Sequence, residues 1–120
     1  MNIHPMWDNF PSIKKDLKKT LELMSSSIDL PNKEIEKTIL ELFHSGGKLL
    51  RPAYLLLFAE LGKKTDKKKS IALAAAMETL HTATLIHDDI VDEADLRRGV
   101  STLQTKFDKD VAVYSGDYLF

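Results

Sequence analysis

Residues 70–91, SIALAAAMETLHTATLIHDDIV, lie within the longest stretch of this chain with neither glycine nor proline, and they are rich in alanine and leucine. Such residues lose little conformational freedom in a helix, so the stretch is predicted to be one long helix. Nothing elsewhere alternates with the two-residue period of a strand, and no internal repeat or low-complexity tract occurs. The predicted fold class is therefore all-α, with helices packed antiparallel through short connections.

The other predicted helices are assembled around this one. In residues 12–28, Ile13, Leu17, Leu21, Met24 and Ile28 recur every three or four positions with lysines between them, the pattern of an amphipathic helix. Pro31 and Asn32 interrupt it; Ile35, Ile39, Leu40, Leu42 and Phe43 mark a second helix ending at Gly46-Gly47. Residues 51–61 begin with Pro52 as first helical residue and are apolar on most of their circumference up to Gly62, so they are expected to lie inside the protein. The basic stretch 63–69 reads as a solvated connection. A short loop is expected after Arg97-Arg98-Gly99, then a helical pattern from Asp108 through Val111, Val113, Tyr114 and Tyr118 to Leu119 and Phe120. A pattern still apolar at the last residue is what an incomplete domain would give, and residues 1–120 are read as the N-terminal part of one domain.

Seventeen lysines and arginines face 18 acids, a net charge of −1 that recommends neither nucleic acid nor an anionic membrane as partner. The absence of cysteine excludes disulfides, thiolate metal sites and cysteine nucleophiles, so any metal chemistry must use oxygen ligands. The first residues lack the basic start and apolar core of a signal peptide, and no segment approaches a transmembrane run; the expected location is cytoplasmic.

The chemistry is concentrated at the end of the long helix. Asp88-Asp89-Ile90-Val91-Asp92-Glu93-Ala94-Asp95 places five acids in eight residues. On a helix Asp88 and Asp92 share a face, where like charges repel unless a cation stands between them. Mg2+ is commonly held by one or two carboxylates plus the phosphate oxygens of its substrate, so this geometry implies a diphosphate partner. A solvated helix end is the ordinary alternative for an acidic run. A calcium loop is not, because Ile90 and Ala94 fall where oxygen ligands belong and Glu93 where glycine does.

His81, Thr84, Asp88 and Asp92 fall near one stripe, although a lone histidine on a helix is more often a hydrogen-bonded core residue. Arg97 and Arg98 follow the acids and suit phosphate oxygens, or simply neutralise their neighbours. A second cationic cluster, Gly46-Gly47-Lys48-Leu49-Leu50-Arg51-Pro52, stands at a helix entrance, where amide dipoles favour anions. It is not a P-loop, since Leu49 follows Lys48. A helix cap carrying ordinary surface cations is the alternative there.

In order and spacing, Gly46-Gly47-Lys48-x-x-Arg51-Pro52, His81, Asp88-Asp89-x-x-Asp92 and Arg97-Arg98-Gly99 resemble the trans-isoprenyl diphosphate synthase family, and Gly116-Asp117 is similar to a pair found there on the next helix. The resemblance runs from about Phe43 to the end. It implies the N-terminal portion of a helical bundle around a central cavity, and a prenyltransferase that condenses an allylic diphosphate with isopentenyl diphosphate. Asp88 and Asp92 would hold magnesium bridging to the allylic diphosphate, with Asp89 in support as the third catalytic aspartate, and Arg97 would contact that same group. Lys48, Arg51, His81 and Arg98 match the positions that bind the diphosphate of isopentenyl diphosphate. The metal and arginines would stabilise the departing diphosphate; the double bond of isopentenyl diphosphate attacks the allylic cation, and a proton is lost.

In that family the residues ahead of the aspartates face the growing tail, and bulky aromatics there stop it early. Here Leu80, Ala83 and Thr84 are not aromatic, so the chain resembles the medium- and long-chain synthases of hexaprenyl or heptaprenyl type. The resemblance also implies a homodimer or a heterodimer with a related subunit. Ser101 departs from the family's usual proline, and no second aspartate-rich motif occurs in these 120 residues, so the segment alone is expected to be inactive. A non-catalytic partner subunit of a two-component synthase is the chief alternative; the intact Asp88, Asp92, Lys48 and Arg51 argue against it.

Overall fold

The apolar residues at helical spacing do become buried faces. In α1 (Pro11–Ser26) Ile13, Leu17, Leu21 and Met24 are buried together with Thr20, and the lysines point to solvent. Each such aliphatic side chain contributes about 1.5–3 kcal/mol when fully withdrawn from water. Asn32 caps α2 (Lys33–Phe43), its side-chain oxygen accepting from the amides of Glu34 and Ile35. Then come α3 (Leu50–Ala59), α4 (Lys67–Val91), α5 (Leu103–Lys106) and α6 (Lys109–Leu119), and a 3-10 turn at Pro5–Trp7 precedes them all. The computed structural model describes residues 3–45, 47–62, 66–97 and 99–120. Helix α4 is central, with α1, α3 and α6 lying against it. No helix among the described residues is long and apolar enough to cross a membrane.

Four features differ from the sequence-based expectation. Helix α4 starts at Lys67, inside the basic stretch read as a connection, because the Asp66 carboxylate accepts from the Lys69 amide. Lys67 then reaches the buried carboxylate of Asp16 on α1 at 2.8 Å. Helix α3 starts at Leu50, so Pro52 sits in the first turn, where a missing N–H costs nothing. That helix is also not enclosed. Pro52, Ala53 and Leu56 are buried, while Tyr54, Leu57 and Phe58 are exposed, because α1 and α4 cover only one stripe of it. Finally, the loop after the acids contains a two-residue antiparallel ribbon, β1 (Leu96–Arg97) with β2 (Val100–Ser101), turned at Gly99 with φ 81°.

His44 caps the end of α2. Its Nε2 lies 2.8 Å from Ser25 Oγ on α1, and its buried Nδ1 has no partner among the described residues. Burial holds this imidazole below its ordinary value of 6.5. The folded state thus prefers the neutral ring, the unfolded state binds the proton more readily, and the associated stability is complete above the unfolded value and lost as pH falls through the folded one. The melting temperature should decline as pH is lowered through and below the ordinary histidine value, and His44→Gln should flatten that dependence. An identical slope in the variant would assign the effect elsewhere.

Candidate functional site

The cationic end is built by the entrance to α3. Leu49, the N-cap, is in the left-handed region at φ 57°, a conformation that costs a non-glycine residue of order 1 kcal/mol. Two contacts hold it there. Leu49 itself is buried, and the indole Nε1 of the buried Trp7 donates to Lys48 O at 2.8 Å. The side chains of Lys48 and Arg51 are thereby presented to solvent. Arg51 Nη1 lies 3.2 Å from Nε2 of the half-buried His81, so two of the cationic-site residues expected from the sequence meet across α3 and α4. Arg98 lies outside the described residues.

At the acidic end the three aspartates do not play equal parts. Asp88 and Asp92 are exposed and one turn apart, Asp92 N donating to Asp88 O at 2.8 Å. Asp89 is buried and turned toward the ribbon, where Arg97 grips it: Nε lies 3.1 and 3.4 Å from the two carboxylate oxygens, and Nη2 lies 2.6 Å from Oδ1. The Asp89 hydrogen bonds raise the Arg97 guanidinium further above its already high value against the opposing effect of burial; the fields of Asp89, Asp88 and Asp92 add to the rise. Nη1 has no partner among the described residues.

The chain reverses immediately after these acids through a Schellman end. Glu93 is left-handed at φ 52°, its amide donates to Ile90 O at 3.3 Å, and the Ala94 amide donates to Asp89 O at 2.9 Å. Gln104 Nε2 clamps the turn with 2.7 Å bonds to both Asp89 O and Ala94 O, and Thr102 Oγ1 adds one to Ala94 O at 2.8 Å. The acidic turn is thus fixed by side chains of α5 and its N-cap donating to its backbone carbonyls.

Between the two ends the exposed stripe of α4 changes character in order. Leu73, Met77 and Leu80 are exposed, followed one and two turns on by Thr84 and Asp88, and then by Asp92. Of the three tail-facing candidates, Leu80 and Thr84 lie on this stripe, whereas Ala83 is wholly buried on the packed face. Thr84 Oγ1 donates to His81 O at 2.6 Å. Among the described residues no three histidine, aspartate or glutamate side chains form a group that could hold a metal. Asp88 and Asp92, two exposed carboxylates one turn apart, would supply only part of a coordination shell, which suits an ion such as Mg2+ that takes its other ligands from water and phosphate oxygens.

Sequence reasoning missed three supporting residues. Trp7 gave no signal, because its partner is 41 positions away. Gln104 was indistinguishable from any loop amide. His87 had a partial signal in its position before Asp88: its Nε2 lies 3.3 Å from Val113 O and 3.2 Å from Asp117 Oδ1 on α6, and its ring stacks on Phe120 at 5.5 Å.

Comparison with known proteins agrees with this architecture. The chain is 36% identical over 115 residues to heptaprenyl diphosphate synthase component 2 of Geobacillus stearothermophilus, covering 87% of this chain and 36% of that one. The crystal structure of geranylgeranyl pyrophosphate synthase from Lactobacillus brevis superposes with a TM-score of 0.92 at 40% identity over 97% of this chain and 36% of the other. The polyprenyl synthase of Caulobacter crescentus, complexed with calcium and isoprenyl diphosphate, gives 0.83 at 33% identity, covering 92% of this chain and 33% of that one. The chain thus spans about a third of the length of the relatives it matches. Because the sequence profile of the Polyprenyl synthetase family matches residues 32–120, the helices that carry both charged ends and the stripe between them lie inside one family match, and the chain belongs to that family.

Proposed function

We propose that the protein is a prenyltransferase that condenses an allylic diphosphate with isopentenyl diphosphate, to which this segment contributes the first aspartate pair and the cations of the second substrate. The observation that carries the reading is the α4 stripe. It runs from apolar Leu73, Met77 and Leu80 through Thr84 to Asp88 and Asp92, which with a bridging cation is the complement of a molecule with an isoprenoid tail and an anionic head. Mg2+ held by Asp88 and Asp92 would supply positive charge against the departing diphosphate. Arg97, locked in orientation by Asp89, would offer its Nη1, which no described residue engages, to the same group. Lys48, Arg51, His81 and Arg98 would hold the diphosphate of isopentenyl diphosphate, near enough to the allylic carbon for its double bond to attack. A dimeric, cytoplasmic enzyme is part of this proposal. The Geobacillus relative bears the name component 2, which supports a related subunit as partner.

The test is prenyl transfer by the whole protein with radiolabelled isopentenyl diphosphate, farnesyl diphosphate and Mg2+, alone and with a candidate partner subunit. A Mg2+-dependent polyprenyl product is expected; no product under either condition would sink the proposal. Leu80→Phe should shorten that product, since an aromatic ring would stand on the stripe between acids and tail. An unchanged product length would remove Leu80 from the tail path.

A further inference from the structure

The imidazole of His87 occupies a place on α6 that only glycine leaves open. A Cβ on Gly116 would stand 2.4 Å from His87 Nε2 and 2.5 Å from Cδ2, closer than van der Waals contact allows. Val113, Gly116, Asp117 and Phe120 line one groove of α6 at helical spacing, and the ring touches all four. Both oxygens near Nε2 are acceptors, a backbone carbonyl and a carboxylate, so this nitrogen carries the proton and donates. His87 immediately precedes Asp88 on the last turn but one of α4, and the turn that follows is tied again to α6 by Lys109 and Glu93 at 3.2 Å.

We infer that His87 is a positioning residue for the acidic face: seated in the groove that Gly116 opens, it fixes the end of α4 against α6 and so sets where Asp88 and Asp92 present their carboxylates. This rests on the reading of Asp88 and Asp92 as a metal and diphosphate face. The ring does not touch the ligand. It acts through one-turn geometry, as the hydrogen-bonded partners around metal ligands do, whose loss costs about 10- to 100-fold in affinity or activity.

The test measures Mn2+ binding by electron paramagnetic resonance, with inorganic diphosphate present, in the whole protein and its Gly116→Ala, His87→Ala and doubly substituted forms. Melting temperature and the Mg2+ concentration for half-maximal prenyl transfer are followed alongside. Each single substitution should weaken Mn2+ binding about tenfold and raise the Mg2+ requirement to match, with the KM for isopentenyl diphosphate unchanged. In the double form the methyl group introduced on α6 fills the space vacated by the ring, so the melting temperature should recover while metal binding stays weak, because the bonds to Val113 and Asp117 are gone. Wild-type Mn2+ affinity in the folded single variants, or its recovery together with the melting temperature in the double form, would overturn the inference and leave His87 as packing. Asp88→Ala is the control for the underlying reading: unchanged Mn2+ binding there removes the metal face itself and this inference with it. Mn2+ binding that depends on Asp88 without any prenyl product would reject only the proposed reaction, leaving the positioning result to stand on the binding data.

Discussion

Replacing Asp88 or Asp92 with alanine should lower kcat for prenyl transfer by about 100- to 1000-fold, the scale expected when a group stabilising transition-state charge is removed. Both side chains are exposed and make no ion pair with a described residue, so the melting temperature should hold or rise slightly as like charges are separated. That separation of activity from stability is the useful part. The two variants should also fail together: the double replacement should cost little more than either one, since an ion that has lost one of two carboxylates is already poorly held. A double variant with additive losses would mean that the aspartates serve different ligands.

Asp89→Ala should behave in the opposite sense, reducing stability by about 2–3 kcal/mol because it removes three charge-assisted contacts and leaves Arg97 without its partner. The magnitude lies below that of a fully buried pair since the Arg97 side chain retains 31% exposure. Chemical denaturation of Asp89→Ala, Arg97→Ala and the double variant forms a cycle. The double variant should be less destabilised than the sum of the singles, as the lone charge is no longer stranded. Simple additivity would show that the ion pair does not couple the ribbon to α4. Activity should also fall in Arg97→Ala, which keeps Asp88 and Asp92 but loses the cation proposed to meet the allylic diphosphate.

What the sequence made legible was local. The helical period of Ile13, Leu17, Leu21 and Met24 survives as a buried face, and the Asp88–Asp92 spacing puts both carboxylates on one side of α4, since each depends only on residues a few positions apart. The boundaries were harder. Asp66 competes with the lysine charge run and wins, because a cap gives the Lys69 amide a fixed partner where the helix itself supplies none. The exposed half of α3 was illegible for another reason: periodicity reveals how much of a helix is apolar, but not which neighbours this segment supplies to cover it.

The site was divided in the same way. The types and order of the charged residues were readable, and the Arg51–His81 meeting follows from packing α3 on α4. That Asp89 would turn inward to Arg97 while Asp88 stays outward was not readable from five clustered acids; it follows from the helical turn of about 100° per residue, which sets Asp89 away from the side that Asp88 and Asp92 share. Glu93 in a left-handed turn also went unforeseen, since glycine is the residue that announces such a helix end.

The most direct measurement of the metal and diphosphate face is the coupling between its two ligands, read as Mn2+ affinity of the whole protein with and without inorganic diphosphate. Diphosphate should tighten Mn2+ binding at least about tenfold in the wild type, a coupling of about 1.4 kcal/mol, and Asp88→Ala should abolish the gain. Mn2+ affinity indifferent to diphosphate, or a gain that persists without Asp88, would contradict it.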